Sequence, residues 1–271
     1  MRSLLKHILS FILVVIATGA CSEKIQLELD DGETQIVIEA AVSNTTSNQI
    51  VRISMTSPYY DSLPVRPVRN AKVNIYDDTR SYDLIEVQPG TYITNFSFGG
   101  KPGLEYRLKV EFEGEIYEAS STMPRVPAID SIKFTPDEDD PQLFHIGLFA
   151  QENPLPGDFY FWGVFKDLIY QTTNLSLLSY TSDELINGSY INGNSVQSVK
   201  AGPGNRITLQ MASIPKDYFN YCISVLQETV YNDGLFEAAP ANIEGNISNG
   251  ALGFFFTYSE NFRTQVIKIE E

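Results

Sequence analysis

The strictest constraint in this sequence is an alternation with a period of two. In Tyr106–Glu113, Tyr106, Leu108, Val110 and Phe112 alternate with Arg107, Lys109, Glu111 and Glu113. Successive side chains of a strand point to opposite faces, so this pattern sets one face on a core and the other in water. Glu113-Gly114 follows at once and leads into Ile116–Ser121, the signal of a tight hairpin. The same period recurs upstream. Ile36, Ile38, Ala40 and Val42 share a face, as do Val51, Ile53 and Met55, and Ala71, Val73 and Ile75. Tyr82–Val87 and Thr91–Asn95 flank Pro89-Gly90, a turn pair. Short strands with turns between them and no helical period predict a β-sandwich, immunoglobulin-like or transthyretin-like, over residues 34–123.

Met123-Pro124-Arg125-Val126-Pro127-Ala128 interrupts the pattern, because two prolines three apart exclude a central strand. A domain boundary is expected there, with a second β-sandwich-type domain over 128–271. In that part Phe144, Ile146, Leu148 and Ala150 alternate, and Phe159–Phe165 is apolar on both faces, as in a buried central strand. Gln171–Asn205 is rich in Ser, Thr, Asn and Gly and predicts hairpins or a binding loop, with turns at Asn187-Gly188 and Asn192-Gly193. One amphipathic helix is expected near 214–231. Ser213 would cap it, Pro215 would sit in its first turn, and Tyr218, Phe219, Cys222, Val225 and Leu226 form its apolar stripe. The Cys222 thiol on that stripe reads as a core residue rather than a nucleophile. Strands at Gly253–Ser259 and Thr264–Ile269 close the chain.

The N-terminus carries an address. Arg2 and Lys6 precede the apolar run Ile8–Ala17, which as a helix would cover roughly 15 Å, about half a bilayer core. Basic head, short apolar middle and small residues make residues 1–20 a secretory signal peptide. Cys21, directly after Gly19-Ala20, matches a bacterial lipobox, although Thr18 stands where an aliphatic residue is usual. Cys21 is then the lipidation site and the first residue of the mature protein, and residues 21–33 are an acidic tether. The anchor is expected to be lipid alone.

Removing residues 1–20 takes two bases and no acid, which moves the net charge from −15 to −17. That balance repels nucleic acid and excludes it as a partner. Cys222 is left without a partner cysteine, so stability must come from packed cores. His145 is the single histidine of the mature chain, too few for a zinc site. A serine hydrolase would have to use His145, and with no Gly-x-Ser-x-Gly elbow to present a serine, a structural histidine is the reading. Asp137, Asp139 and Asp140 supply the oxygen ligands calcium favours, but without EF-hand spacing, and a solvated loop is the plainer account. Catalytic and metal residues are otherwise expected to be none, and no cofactor is called for. Tyr59, Tyr60 and Trp162, the last beside Tyr160, are candidate exposed platforms for sugars or protein partners. The alternative is that they pack between the two domains. Ser62 and Ser131, in Asp61-Ser62-Leu63 and Asp130-Ser131-Ile132, are candidate O-glycosylation sites.

The closing segment Pro240-Ala241-Asn242 with Asn246-Ile247-Ser248-Asn249-Gly250-Ala251-Leu252-Gly253-Phe254-Phe255 resembles the end of a Bacteroidota lipoprotein family known as domain of unknown function 4249 (DUF4249). Ile36–Ala40, Tyr59-Tyr60-Asp61, Gly90-Thr91-Tyr92, Ser121-Thr122-Met123-Pro124 and Pro127–Ile132 agree in order, so the resemblance covers essentially the mature chain. It implies an outer-membrane lipoprotein, often encoded beside TonB-dependent transporters, and supplies no catalytic residues. The expected function is therefore a non-catalytic accessory or ligand-capture partner of such a transporter, displayed at the cell surface. The alternative is a surface enzyme, such as a glycan hydrolase, whose paired carboxylates meet only in the fold.

Overall fold

The alternating residues go where their period sends them. In β1 (Ile36–Ser43), Ile36, Ile38, Ala40 and Val42 are buried while Glu39 is exposed. The computed structural model describes residues 34–57, 66–229 and 243–268. Cys21, the tether, Tyr59, Tyr60 and Ser62 lie outside them. After β1 come β2 (Ile50–Met55), β3 (Arg66–Pro67), β4 (Lys72–Tyr76), β5 (Ser81–Gln88), β6 (Thr91–Thr94), β7 (Glu105–Phe112) and β8 (Glu115–Thr122). The β7–β8 hairpin turns on Glu113 and Gly114, both at positive φ (49° and 88°), a conformation that glycine adopts without cost.

Beyond the two prolines lie β9 (Ile129–Pro136), β10 (Leu143–Gln151), β11 (Phe159–Lys166), β12 (Ile169–Tyr170), β13 (Ser179–Ser182), β14 (Tyr190–Lys200) and β15 (Arg206–Ile214). The helix α1 (Lys216–Thr229) and the last strand β16 (Leu252–Val266) complete the described chain. The protein is mainly β, with two sheets. The larger has 13 strands in the order β12-β11-β15-β16-β1-β2-β6-β5-β4-β7-β8, with β13 beside β11 and β3 beside β2. The smaller is β14-β10-β9.

The larger sheet curls over its first half until β8 approaches β16, but among the described residues no ladder closes it. The Ser121 and Thr257 hydroxyls pair at 3.0 Å, and Ser248 exchanges bonds with the backbone of Glu118. This half encloses one core, built on Ile38, Ile53, Ile75, Leu108 and Val110, and Phe255 from β16 belongs to it. In the second half the small sheet packs on β11, β15 and β16. Ile132, Ile146 and Leu148 there meet Tyr160, Trp162, Val164 and Leu209. The other face of β11 and β15 carries a third cluster of Phe159, Phe161, Ala212 and Ile214, against which α1 lays Tyr218 and Phe219.

Met123–Ala128 holds no strand until Ile129, and the described residues from Thr34 onward form one compact unit that contains both cores. The joint is β16. Residues 252–258 run parallel to β1, and residues 259–266 run antiparallel to β15. The expected pair of closing strands is thus one strand that changes partner midway. Two further expectations shift. The helix starts at Lys216, with Phe219 N–H donating to the Pro215 carbonyl at 3.0 Å, and Ser213 is a buried residue within β15 instead of a cap. Asn192-Gly193 is no turn but an irregular point inside β14, where Gly147 on the facing strand leaves no room for a Cβ beside the Gly193 carbonyl.

Candidate functional site

The outer face of β16 is a ladder of rings. Phe255 and Thr257 point into the first core, so by alternation Phe254, Phe256 and Tyr258 point out. The pairing register sets Glu39 beside Phe254, Ala41 beside Phe256 and Ser43 beside Tyr258, and then Arg52 of β2 beside Glu39 and Ile50 beside Ala41. The helix supplies a wall. Tyr218 lies flat on Phe256 with ring centroids 3.5 Å apart, and Tyr221 sits 4.9 Å from Phe254. Tyr218 and Tyr221 are three positions apart and therefore share a helix face. The opposite wall is the segment Ser47–Gln49, which leads into β2. Between the walls runs an open groove of about 390 Å³.

Its frame is fixed before any ligand arrives. Gln49 accepts from Ser43 N–H (3.0 Å) and donates to the Phe98 carbonyl (2.7 Å). Asn48 donates to the Thr94 carbonyl and accepts from Ser97 Oγ at 2.8 Å. Burial pushes the Tyr258 phenol up to about 12, with Glu260 adding to it, and burial then Glu39 raise that of Tyr221, so both rings stay neutral donors. Glu39 and Arg52 differ from the rest. They are exposed cross-strand neighbours, and neither side chain holds a hydrogen bond or ion pair among the described residues. The groove thus offers aromatic surface, one unengaged carboxylate and one unengaged guanidinium. Glu39 is its single acid, so the lining has no second carboxylate to share proton transfer.

The other candidates fall elsewhere. Trp162 is not an exposed platform: it is 2% exposed, and its Nε1 donates to Thr181 Oγ1 at 2.9 Å. The reason is the position of β11, which the small sheet covers on one face and α1 on the other. Tyr160, also buried, donates to Glu152 Oε1. Asp137 spends Oδ1 on the N–H groups of Asp139 and Asp140, which hold its carboxyl below the usual range together with His145. Asp140 accepts from Gln142 N–H and pairs with Lys200 at 3.3 Å. Among the described residues no group of three His, Cys, Asp or Glu could hold a metal ion. Ser131 is half buried in β9 opposite Phe149. Cys222 lies on the buried face of α1, and burial raises its thiol.

His145 has partners the sequence did not suggest. Its Nδ1 meets Ser198 Oγ at 2.8 Å and its Nε2 meets Asp137 Oδ2 at 2.9 Å. The order Ser-His-Asp is that of a hydrolytic triad, but the serine lies mid-strand, opposite His145 in the β10–β14 ladder. The Ser198 N–H already donates to Gln197 Oε1, so it cannot serve an oxyanion. The chain of bonds ties the β9–β10 turn to β14.

The groove residues Glu39, Arg52, Tyr221, Phe254 and Phe256 were not singled out from the sequence. The one available signal was the outward alternation Phe254, Phe256, Tyr258, three rings on a face that strand logic assigns to water. A family model described as Domain of unknown function (DUF4249) matches residues 22–264. The chain belongs to that family. No curated protein matches it at a significant level. The DUF4249 match begins just after Cys21 and runs through β1, α1 and most of β16, so every groove residue falls inside it.

Proposed function

We propose that this DUF4249 protein is a non-catalytic lipoprotein, anchored in the outer membrane through Cys21, that captures a ligand at the cell surface for a TonB-dependent transporter. One observation carries the reading: an open groove with locked walls, an aromatic floor and two charged groups left without partners. Sites for small ligands are concave and largely preformed, with few polar groups fixing orientation. The alternative, a glycan hydrolase, requires two carboxylates across a cleft, and Glu39 stands alone in this groove. The lipobox and the acidic tether support the address, and the lipid tether raises local concentration so that a modest interface with the transporter suffices.

Affinity purification from detergent-solubilised outer membranes tests the proposal. A TonB-dependent transporter is expected to co-purify, and protease added to intact cells is expected to remove the protein. If no transporter is recovered and surface protease spares the chain, the capture role is lost.

A further inference from the structure

We infer that the ligand of the groove is a neutral carbohydrate, bound with one sugar face against Tyr221 and its hydroxyl edge bridging Glu39 and Arg52. The inference rests on the groove being the capture site and adds the chemical class of its occupant.

The Glu39 carboxylate only accepts hydrogen bonds, whereas the Arg52 guanidinium only donates them. Their strands are adjacent, and adjacent strands lie about 4.8 Å apart. Two neighbouring hydroxyls of a sugar ring can give a proton to one group and accept from the other, satisfying both at once. A pyranose also has a face of C–H bonds, which suits the half-buried ring of Tyr221 beside Phe254.

Other ligand classes fit less well. An extended peptide binds by lending its backbone to a sheet edge. Here the floor is a sheet face, whose N–H and C=O groups are already spent between β16, β1 and β2. An acyl chain would have to lie along two uncompensated charges, at a high desolvation cost. A simple anion is opposed by Glu39 and by a mature net charge near −17, and a simple cation is opposed by Arg52. A neutral molecule dense in hydroxyls meets none of these objections.

The test uses the full lipidated chain in detergent on an array of neutral glucan, mannan and xylan oligosaccharides, printed beside uronate-containing and sulfated glycans. At least one neutral oligosaccharide is expected to be retained. Titration calorimetry with that oligosaccharide is expected to show binding weakened at least tenfold in both Arg52→Ala and Glu39→Gln. Both side chains are exposed and unpartnered, so the melting temperature of each variant should match the parent, which separates lost binding from lost folding. Retention of anionic glycans alone, of no glycan, or of neutral glycan undiminished in both variants overturns the inference. A silent array with a transporter still co-purifying rejects the sugar and leaves the capture role intact. Sugar binding with no transporter does the reverse.

Discussion

The ring of Tyr218 lies on the ring of Phe256 with centroids 3.5 Å apart and planes 8° from parallel. The stack joins two parts of the chain, with the Tyr218–Phe254 and Tyr221–Phe254 contacts beside it. Tyr218 belongs to the helix that follows β15, whereas Phe256 belongs to the length of β16 that pairs with β1. The helix therefore covers the seam where β16 passes from one core to the other. It also forms a wall of the groove, so groove shape and seam packing depend on the same ring.

Tyr218→Ala is accordingly expected to cost stability, by about 3–5 kcal/mol, as aromatic truncations in packed sites do. Tyr218→Phe keeps the stack and should cost less than half as much. Urea unfolding followed by circular dichroism measures both. Equal losses in the two variants would mean that the hydroxyl, beside Cys222, matters more than the ring.

Gly253 sits where β16 first engages β1, at a φ of +94°, and a Cβ there would lie 2.2 Å from the Ile38 carbonyl oxygen. Both the conformation and the space exclude a side chain. Gly253→Ala should destabilise the protein by more than about 1 kcal/mol. Gly250→Ala makes the control, because φ is also positive (+70°) but nothing lies near the added carbon. A thermal melt in which the two variants shift equally would show that strain alone, and not the contact with β1, is at work.

Glu152 is 1% exposed, and burial is the main reason its carboxyl titrates above the ordinary value of 4.5; bonds from Tyr160 and the Asn153 N–H oppose that rise only in part. The native state therefore holds this proton at pH values where the unfolded chain has lost it. By linkage the contribution is complete below about 4.5 and is lost as pH rises through the folded value. Glu152→Gln removes the titration, so its stability relative to the parent should improve between pH 4 and pH 8. Urea midpoints measured across that range decide it, and a difference independent of pH would count against a raised carboxyl.

Ser198 has a histidine at 2.8 Å but no free backbone N–H of its own to stabilise an oxyanion. Fluorophosphonate probes are expected to leave it unlabelled at neutral pH. Labelling of the parent that disappears in Ser198→Ala would establish a nucleophile there and reopen the enzymatic reading.

Strand identity was legible because alternation is a local property. Ile38, Ile53, Val73 and Leu108 could be assigned to a core face from their immediate neighbours, and all four are at most 2% exposed. What alternation cannot reveal is which strand a face will meet. β16 follows β1 by more than two hundred residues, and nothing in either segment specifies their parallel pairing. The same blindness affected the rings. Trp162 was a candidate platform although its strand reads as apolar on both faces, and β11 is indeed covered twice, by the small sheet that largely precedes it and by α1 some fifty residues on. Phe254 and Phe256 looked like an ordinary closing strand because the groove needs Glu39, Arg52 and Tyr221 from three other elements before it exists.

The shared strand has a mechanical consequence at Arg125, an exposed residue between the two prolines. A single tryptic cut there would divide the chain at the sequence boundary between the cores. The flanking peptide is fastened to β16, with Ser259 Oγ donating to the Pro124 carbonyl at 2.6 Å and Asn261 Nδ2 to the Pro127 carbonyl at 2.8 Å. More importantly, the C-terminal fragment carries β16, whose first half completes the sheet of the N-terminal fragment beside β1. The two pieces should therefore stay together after cleavage, with Phe255 still seated in the first core. Size-exclusion chromatography of the nicked protein in native buffer should give one peak at the parent position. The same sample in 6–8 M urea should resolve into two. Separation in native buffer would mean that the cores stand independently and that the β1–β16 pairing contributes little to holding them together.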